Sequence, residues 1–281
     1  MQVALQVLAL TAALYLAQAC LRRAGKWAVW GLFLVAPLVL TPYWFRVTEF
    51  GLFVWIKFYT IFLCVVWGTA VRLTTLGDRR WARYTIPLLL AGNILEATAL
   101  DLIERGLAHN LNALAGLLLI LTVPYGRGAT TIETTNRGRD VLLGTSRAWV
   151  VGYTLWNWTF VYLNYPMWVG HHTAVLLAAL IVGMINPRRW IQARAFTLGS
   201  IFLVTATCNA GLVSWLDTSN WTDPLLGIVA ARIALAFMVG YSGRALWLAT
   251  RAAGVGGRVA GAVRHSVAPH RLICSASCGN A

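Results

Sequence analysis

Residues 51–83 read GLFVWIKFYTIFLCVVWGTAVRLTTLGDRRWAR, and this stretch decides the fold. Gly51–Leu73 is apolar almost throughout. At about 1.5 Å of rise per residue, a helix of that length crosses a hydrocarbon core of roughly 30 Å. It then runs into a short loop with Arg72, Arg79, Arg80 and Arg83. An apolar helix ending in a basic loop is the repeating unit of a polytopic membrane protein.

The same unit recurs outward in both directions. The expected spans are Val3–Cys20, Ala28–Phe45, Gly51–Leu73, Tyr84–Ile103, Leu111–Tyr125, Ala148–Tyr165, Gly170–Ile185, Ala195–Leu216 and Pro224–Ala249. The fifth and seventh are short enough to be re-entrant, which leaves seven to nine crossings around an expected nine. Every second loop is basic: Arg22, Arg23 and Lys26; then the arginines above; then Arg127, Arg137, Arg139 and Arg147; then Arg188, Arg189 and Arg194; and finally Arg244, Arg251, Arg258, Arg264 and Arg271. The alternate loops hold only Arg46 and Arg105. The positive-inside rule therefore predicts a cell-membrane protein with its N-terminus outside and its C-terminus cytoplasmic.

Composition agrees. Only 11% of the residues are charged and 59% are hydrophobic, where a soluble domain carries roughly 25% charged residues. The net charge of +14 would suggest nucleic acid in a soluble protein, but here the basic residues flank apolar spans. Topology and anionic lipid account for them, and no nucleic-acid module is present. The five cysteines are scattered, without a zinc-site or disulfide spacing. Two domains are expected: an all-α transmembrane bundle over residues 1–250, and a basic, mobile cytoplasmic tail over 251–281.

Charged residues inside spans are expensive and are functional candidates by default. They are Lys57, Glu96, Asp101 and Arg232, with Asn93, Asn157 and Asn209 as neutral companions. Counting from the nearer span end at about 1.5 Å per residue places Lys57 roughly 9 Å deep, Glu96 roughly 13 Å, and Asn157, Asn209 and Arg232 roughly 12 Å. Five helices thus bring polar groups to one layer of the outer half, which predicts a polar pocket between helices. Asp101 and Asp217 are placed at its outer rim, and one of His171 and His172 at its mouth. Trp55 and Tyr59 flank Lys57, while Tyr153, Trp156, Trp158 and Tyr162 surround Asn157. An apolar, aromatic cavity with few polar groups suits a hydrophobic or cationic ligand.

Several segments carry a resemblance. They are Lys26-Trp27 with Pro37 and Thr41, Trp55-x-Lys57-x-Tyr59, Asn93-Ile94-Leu95-Glu96-Ala97 with Asp101, and Asn112-x-x-Ala115-Gly116. Tyr153-x-Leu155-Trp156-Asn157 and Trp190-x-Gln192-x-Arg194-x-x-Thr197-Leu198 continue the series. On these the chain resembles a bacterial multi-pass family of unassigned function. Arg232 has no counterpart there, and Thr154 stands where family members carry an acid. A looser similarity is to integral-membrane terpene cyclases of drimentine-type and fungal meroterpenoid pathways, which are small, helical and metal-free. It rests on architecture.

That similarity implies acid-initiated cyclisation of a prenylated, for example farnesylated, substrate, without cofactor or metal. Glu96, Asp101 or Asp217 would supply the proton. Trp55, Lys57, Tyr59, Asn93, Tyr153, Trp156, Asn157, Trp158, Tyr162 and Arg232 would line the substrate site. The expected partners are the lipid bilayer, a hydrophobic small-molecule substrate and a prenyltransferase of the same pathway. The alternative expectation is a small-molecule or ion-coupled membrane transporter, with Lys57, Glu96 and Arg232 along a polar path.

Overall fold

The computed structural model describes residues 2–126, 128–135 and 138–266, with the side chains of Thr135, Asn209, Ala210, Val213 and residues 252–266 outside the description. Residues 2–241 form one unit, a helical bundle, and a second unit begins at Ser242. The helices are α1 (Gln2–Arg23), α2 (Lys26–Trp30), α3 (Ala36–Val47), α4 (Leu52–Leu73), α5 (Arg80–Glu104) and α6 (Leu107–Leu121). They continue as α7 (Arg147–Asn164), α8 (Val169–Ile185), α9 (Trp190–Thr207), α10 (Asn209–Trp215) and α11 (Pro224–Ser266). A π-helical turn, Gly31–Val35, joins α2 to α3 into one continuous rod.

Each expected span falls on helix. Six segments are long and apolar enough to cross a membrane: Gln2–Arg23, Lys26–Val47, Leu52–Leu73, Arg80–Glu104, Pro166–Ile185 and Pro224–Arg251. Leu107–Leu121 is apolar but shorter, while α7 and α9 fall short in hydropathy. Length and composition thus support six crossings of the nine expected. The described helix α11 continues to Ser266, into the stretch expected to begin a mobile tail. Residues 267–281, including Arg271, Cys274 and Cys278, lie outside the described residues, as do Arg127 and Arg137.

Local signals set the helix starts. Ser146 Oγ accepts from Trp149 N at 3.1 Å and caps α7. Pro166 and Pro187 open the short 3-10 turns that lead into α8 and α9. The main core packs Trp149, Tyr153, Trp156 and Trp190 against Leu119, Val150 and Met238. Gly116 allows close approach here. A Cβ at that position would run into Thr98 Oγ1 and Trp156 Nε1, so α5, α6 and α7 meet over bare backbone.

The polar loop between α6 and α7 is an antiparallel hairpin, β1 (Thr130–Thr135) and β2 (Gly138–Leu143), with Ile132 opposite Val141. It gathers the basic helix ends. Arg22, at the end of α1, donates to both oxygens of Asp140 at 2.7 and 2.6 Å. Gln192 of α9 donates to Asp140 at 3.3 Å and accepts from Val141 N at 2.9 Å. Arg189 Nε approaches the same carboxylate at 3.3 Å as a charge contact, without hydrogen-bond geometry. Asp140 is buried, and burial pushes its carboxyl up. The Arg22 hydrogen bonds and charge, with Arg189 and Gln192, outweigh that and hold it below the usual carboxylate range. Arg72, read from sequence as a loop arginine, is also buried. It donates to the carbonyls of Leu21, Arg22 and Ala24 and so caps the C-terminal end of α1.

Loops at the other end of the bundle meet in the same way. Thr218 donates to the carbonyls of Pro166 and Met167 and accepts from Gly170 N. Gln6 donates to the carbonyl of Trp215. Helices α4 to α9 therefore run alternately between a basic hairpin end and an opposite end.

Candidate functional site

A polar layer is built on five helices, α4, α5, α7, α8 and α9, whereas the depth argument drew on Arg232 of α11 rather than on α8. Lys57 on α4 donates to Glu96 Oε2 on α5 at 3.0 Å and to the carbonyl of Asn93 at 3.3 Å. Asn157 on α7 accepts from Arg194 Nη2 on α9 at 2.9 Å, and its Oδ1 lies 2.6 Å from His172 Nε2 on α8. Arg194 Nε donates to the hydroxyl of Tyr153 at 3.4 Å, and its guanidinium carbon sits 5.8 Å from the centre of that ring.

Arg194 is the member that sequence reasoning missed. The eighth span was drawn from Ala195, so the charge was assigned to a loop. The structure starts α9 at Trp190 and buries Arg194 to 4% exposure. The spacing Trp190-x-Gln192-x-Arg194-x-x-Thr197 held the signal: a helix starting five residues earlier turns Ala193, Arg194 and Thr197 inward, and all three are buried.

Two cavities flank this layer. One, of about 100 Å3, reaches toward the hairpin end, where Arg72, Val141 and Gln192 line it with Cys64. The other, of about 150 Å3, opens toward the opposite end and is lined by Phe50, Phe53, Val54, Phe160, Trp168 and Phe202, among others. Lys57, Asn157, His171 and His172 also line the second cavity. Asn93, Arg194 and Leu198 line both.

Several expected site residues sit elsewhere. Asp101 is not at a rim. It is fully buried, where its carboxylate accepts from Asn112 at 2.7 Å and Asn164 at 2.8 Å and lies 3.1 Å from His109 Nδ1. It lines neither cavity. Asp217 lies on an exposed loop, where the backbone N–H of Ser219 donates to it and holds its carboxyl below the usual range. An exposed, readily ionised carboxyl has no means of delivering a proton into an embedded cavity. Glu96 is ion-paired, and its second oxygen is buried without a partner, but it lines neither cavity. Arg232 points out of the bundle and is exposed. Asn209 has no described side chain.

The aromatic expectations divide. Tyr153 lines the hairpin-side cavity. Trp156 is core, packed beside Gly116. Trp158 donates to Thr173 at 3.0 Å and stacks on Tyr162. The Tyr162 hydroxyl locks Asp223 through both its N–H and its carbonyl, fixing the chain just before α11. Trp55 and Tyr59 stack on each other along α4, and Tyr59 meets Thr41 of α3. None of these five lines either cavity.

Comparison with known sequences places the chain. The profile of DUF5692, a family of unknown function, matches residues 1–249. The chain belongs to this family. No curated protein and no solved structure matches it. The resemblance to a multi-pass family of unassigned function therefore stands, whereas nothing in these comparisons supports the resemblance to membrane terpene cyclases.

Proposed function

We propose that this DUF5692 protein is a membrane carrier of a small organic solute, with its binding layer formed by Lys57, Asn93, Asn157, His172 and Arg194. One observation carries the reading. Two cavities approach from opposite ends of the bundle, and Asn93, Arg194 and Leu198 form the wall common to both. A solute path interrupted at a central polar layer is what alternating access requires, since the site must face one side and then the other. The gathering of basic helix ends at the hairpin supports a cytoplasmic position for that end.

A second reading, acid-initiated cyclisation of a prenylated substrate, draws support from the ring faces of Phe50, Phe53, Phe160, Trp168 and Phe202 around the larger cavity. It needs a carboxyl within reach of the substrate. Glu96 serves only if Lys57 releases it.

One experiment separates the two readings. Native Cys64 lines the hairpin-side cavity, and Val54→Cys would mark the other. Each is kept as the lone cysteine and exposed to a membrane-impermeant thiol reagent in right-side-out and inside-out vesicles. The carrier reading expects Cys64 to react from the cytoplasmic side and the cysteine at 54 from the outside. Reaction of both from one side only describes a blind pocket, which overturns the carrier and leaves the cyclase ahead.

A further inference from the structure

Among the described residues, nothing neutralises the charge of Arg194. Among the described residues, the ion pairs join Arg22 and Arg189 to Asp140, Lys57 to Glu96, His109 to Asp101 and Arg139 to Asp78. Arg194 is in none of them. Its acceptors, Asn157 Oδ1 and the Tyr153 hydroxyl, are uncharged, and His172 Nε2, which donates to Asn157 Oδ1, lies 3.4 Å away. Its Nη1 is buried and has no partner among the described residues. Arg72 provides the internal contrast. It is equally buried, yet both of its terminal nitrogens are spent on backbone carbonyls of α1.

A buried guanidinium without a counter-ion is costly, and buried charges are ordinarily paired. Lys57 does not alter the sum. With Glu96 beside it, Lys57, Glu96 and Arg194 together leave one positive charge at the layer. A single negative charge on a ligand cancels it. The guanidinium fork offers parallel N–H donors that match a carboxylate. Nη1 is free, and the residue faces both cavities.

The cavity limits the rest of the ligand. The larger one holds about 150 Å3, a size that elsewhere accommodates a single benzene ring. Its walls are aromatic and aliphatic side chains beyond the polar layer.

We infer that Arg194 is the anion site of this protein and that its ligand is a small carboxylate monoanion with an apolar or aromatic body of about one ring. The inference names the cargo of the proposed carrier and rests on that reading for calling the ligand cargo. The carboxylate would sit on Nη1 of Arg194 near Asn157 and His172, with its ring among Phe53, Phe160 and Trp168.

Equilibrium binding to the purified full chain in nanodiscs of zwitterionic lipid tests it. Three probes share one skeleton and differ in charge: phenylacetate, 2-phenylethanol and 2-phenylethylammonium. The wild type is expected to bind phenylacetate about 10- to 100-fold more tightly than the alcohol, the range for a hydrogen bond to a charged group. The ammonium should bind most weakly. Arg194→Gln should erase the preference for the acid, and Arg194→Lys, which keeps the charge and loses the fork, should retain part of it.

Equal affinities for the three probes, or no binding of any, would overturn the inference without recourse to a variant. So would an intact acid preference in a folded Arg194→Gln protein. Loss of phenylacetate binding when anionic lipid is added to the nanodisc would reassign Arg194 to a lipid headgroup and overturn it as well. The outcome is separable from the carrier reading. Acid preference with one-sided cysteine labelling sinks the carrier alone, and two-sided labelling without acid preference sinks the anion site alone.

Discussion

Asp101 and Arg194 are both buried charges, and the difference in their surroundings separates structure from function. Asp101 is met by three donor groups from α6 and α7 and lines neither of the two cavities at the polar layer. Its work is to tie α5 to those helices. An amide at this position presents one acceptor oxygen in place of two and sets an N–H against the donors around it. Asp101→Asn is therefore expected to destabilise the protein by about 1–3 kcal/mol, the cost of a buried polar group left unsatisfied. Thermal unfolding of the purified variant measures that, while phenylacetate affinity measured well below the transition should match the wild type. Unchanged stability with lost binding would move Asp101 into the site. From sequence these two residues were legible to different degrees. The expense of a charge inside a span marks Asp101 as a candidate, although its place near the span end put it at the rim. Arg194 stood at a span boundary, where a basic residue is ordinary, and only the true helix start turns it inward. Trp156, Trp158 and Tyr162 were misassigned for a related reason. Spacing along α7 places them near Asn157 but does not say which neighbouring helix each one meets.

At the scale of elements, the hairpin joins the ends of α1 and α9 through one carboxylate and packs Val141 on Ala82 and Ile86 of α5. Removing the charge of Asp140 leaves Arg22 and Arg189 facing each other without a counter-ion. Asp140→Asn should cost about 3 kcal/mol, at the lower end of the range for breaking a buried pair, and should lower the thermal midpoint. The pH dependence has a definite sign. The folded-state value of Asp140 is depressed, so its contribution is fully present above the unfolded value near 3.9 and is lost as pH falls through the lower folded value. The gap in midpoint between wild type and variant should therefore hold steady from about pH 5 to pH 8 and narrow only below about pH 4. A gap that shrinks near pH 6 would mean that a histidine, not Asp140, governs the clamp. The sequence showed a polar, Thr- and Arg-rich connection here and no more. The strands are short, and neither alternates cleanly between apolar and polar residues: β1 is mostly threonine, and β2 buries Asp140, Val141, Leu142 and Leu143 in succession.

For the whole molecule, the rhythm of arginines and the positions of helix ends make the same statement independently. The sequence showed which loops are basic. The structure shows that Arg22, Arg72, Arg139, Arg188 and Arg189 meet around the hairpin, although these loops are separated by long apolar helices. The bundle was thus legible from periodicity and charge. The number of crossings was not, because α6, α7 and α9 are short or polar enough to be held by packing rather than by lipid contact. If the proposed sidedness is right, the hairpin end is cytoplasmic and the loop between α10 and α11 is external. Thr134 and Asn220 are exposed at these two places. In a cysteine-free background, Thr134→Cys should be labelled by an impermeant reagent only in inside-out vesicles, and Asn220→Cys only in intact cells. Labelling of both from the same side would require the chain to cross the bilayer an even number of times between the hairpin and residue 220. In that case either α7, α8 or α9 does not cross, and the two cavities flanking Arg194 would open to one compartment.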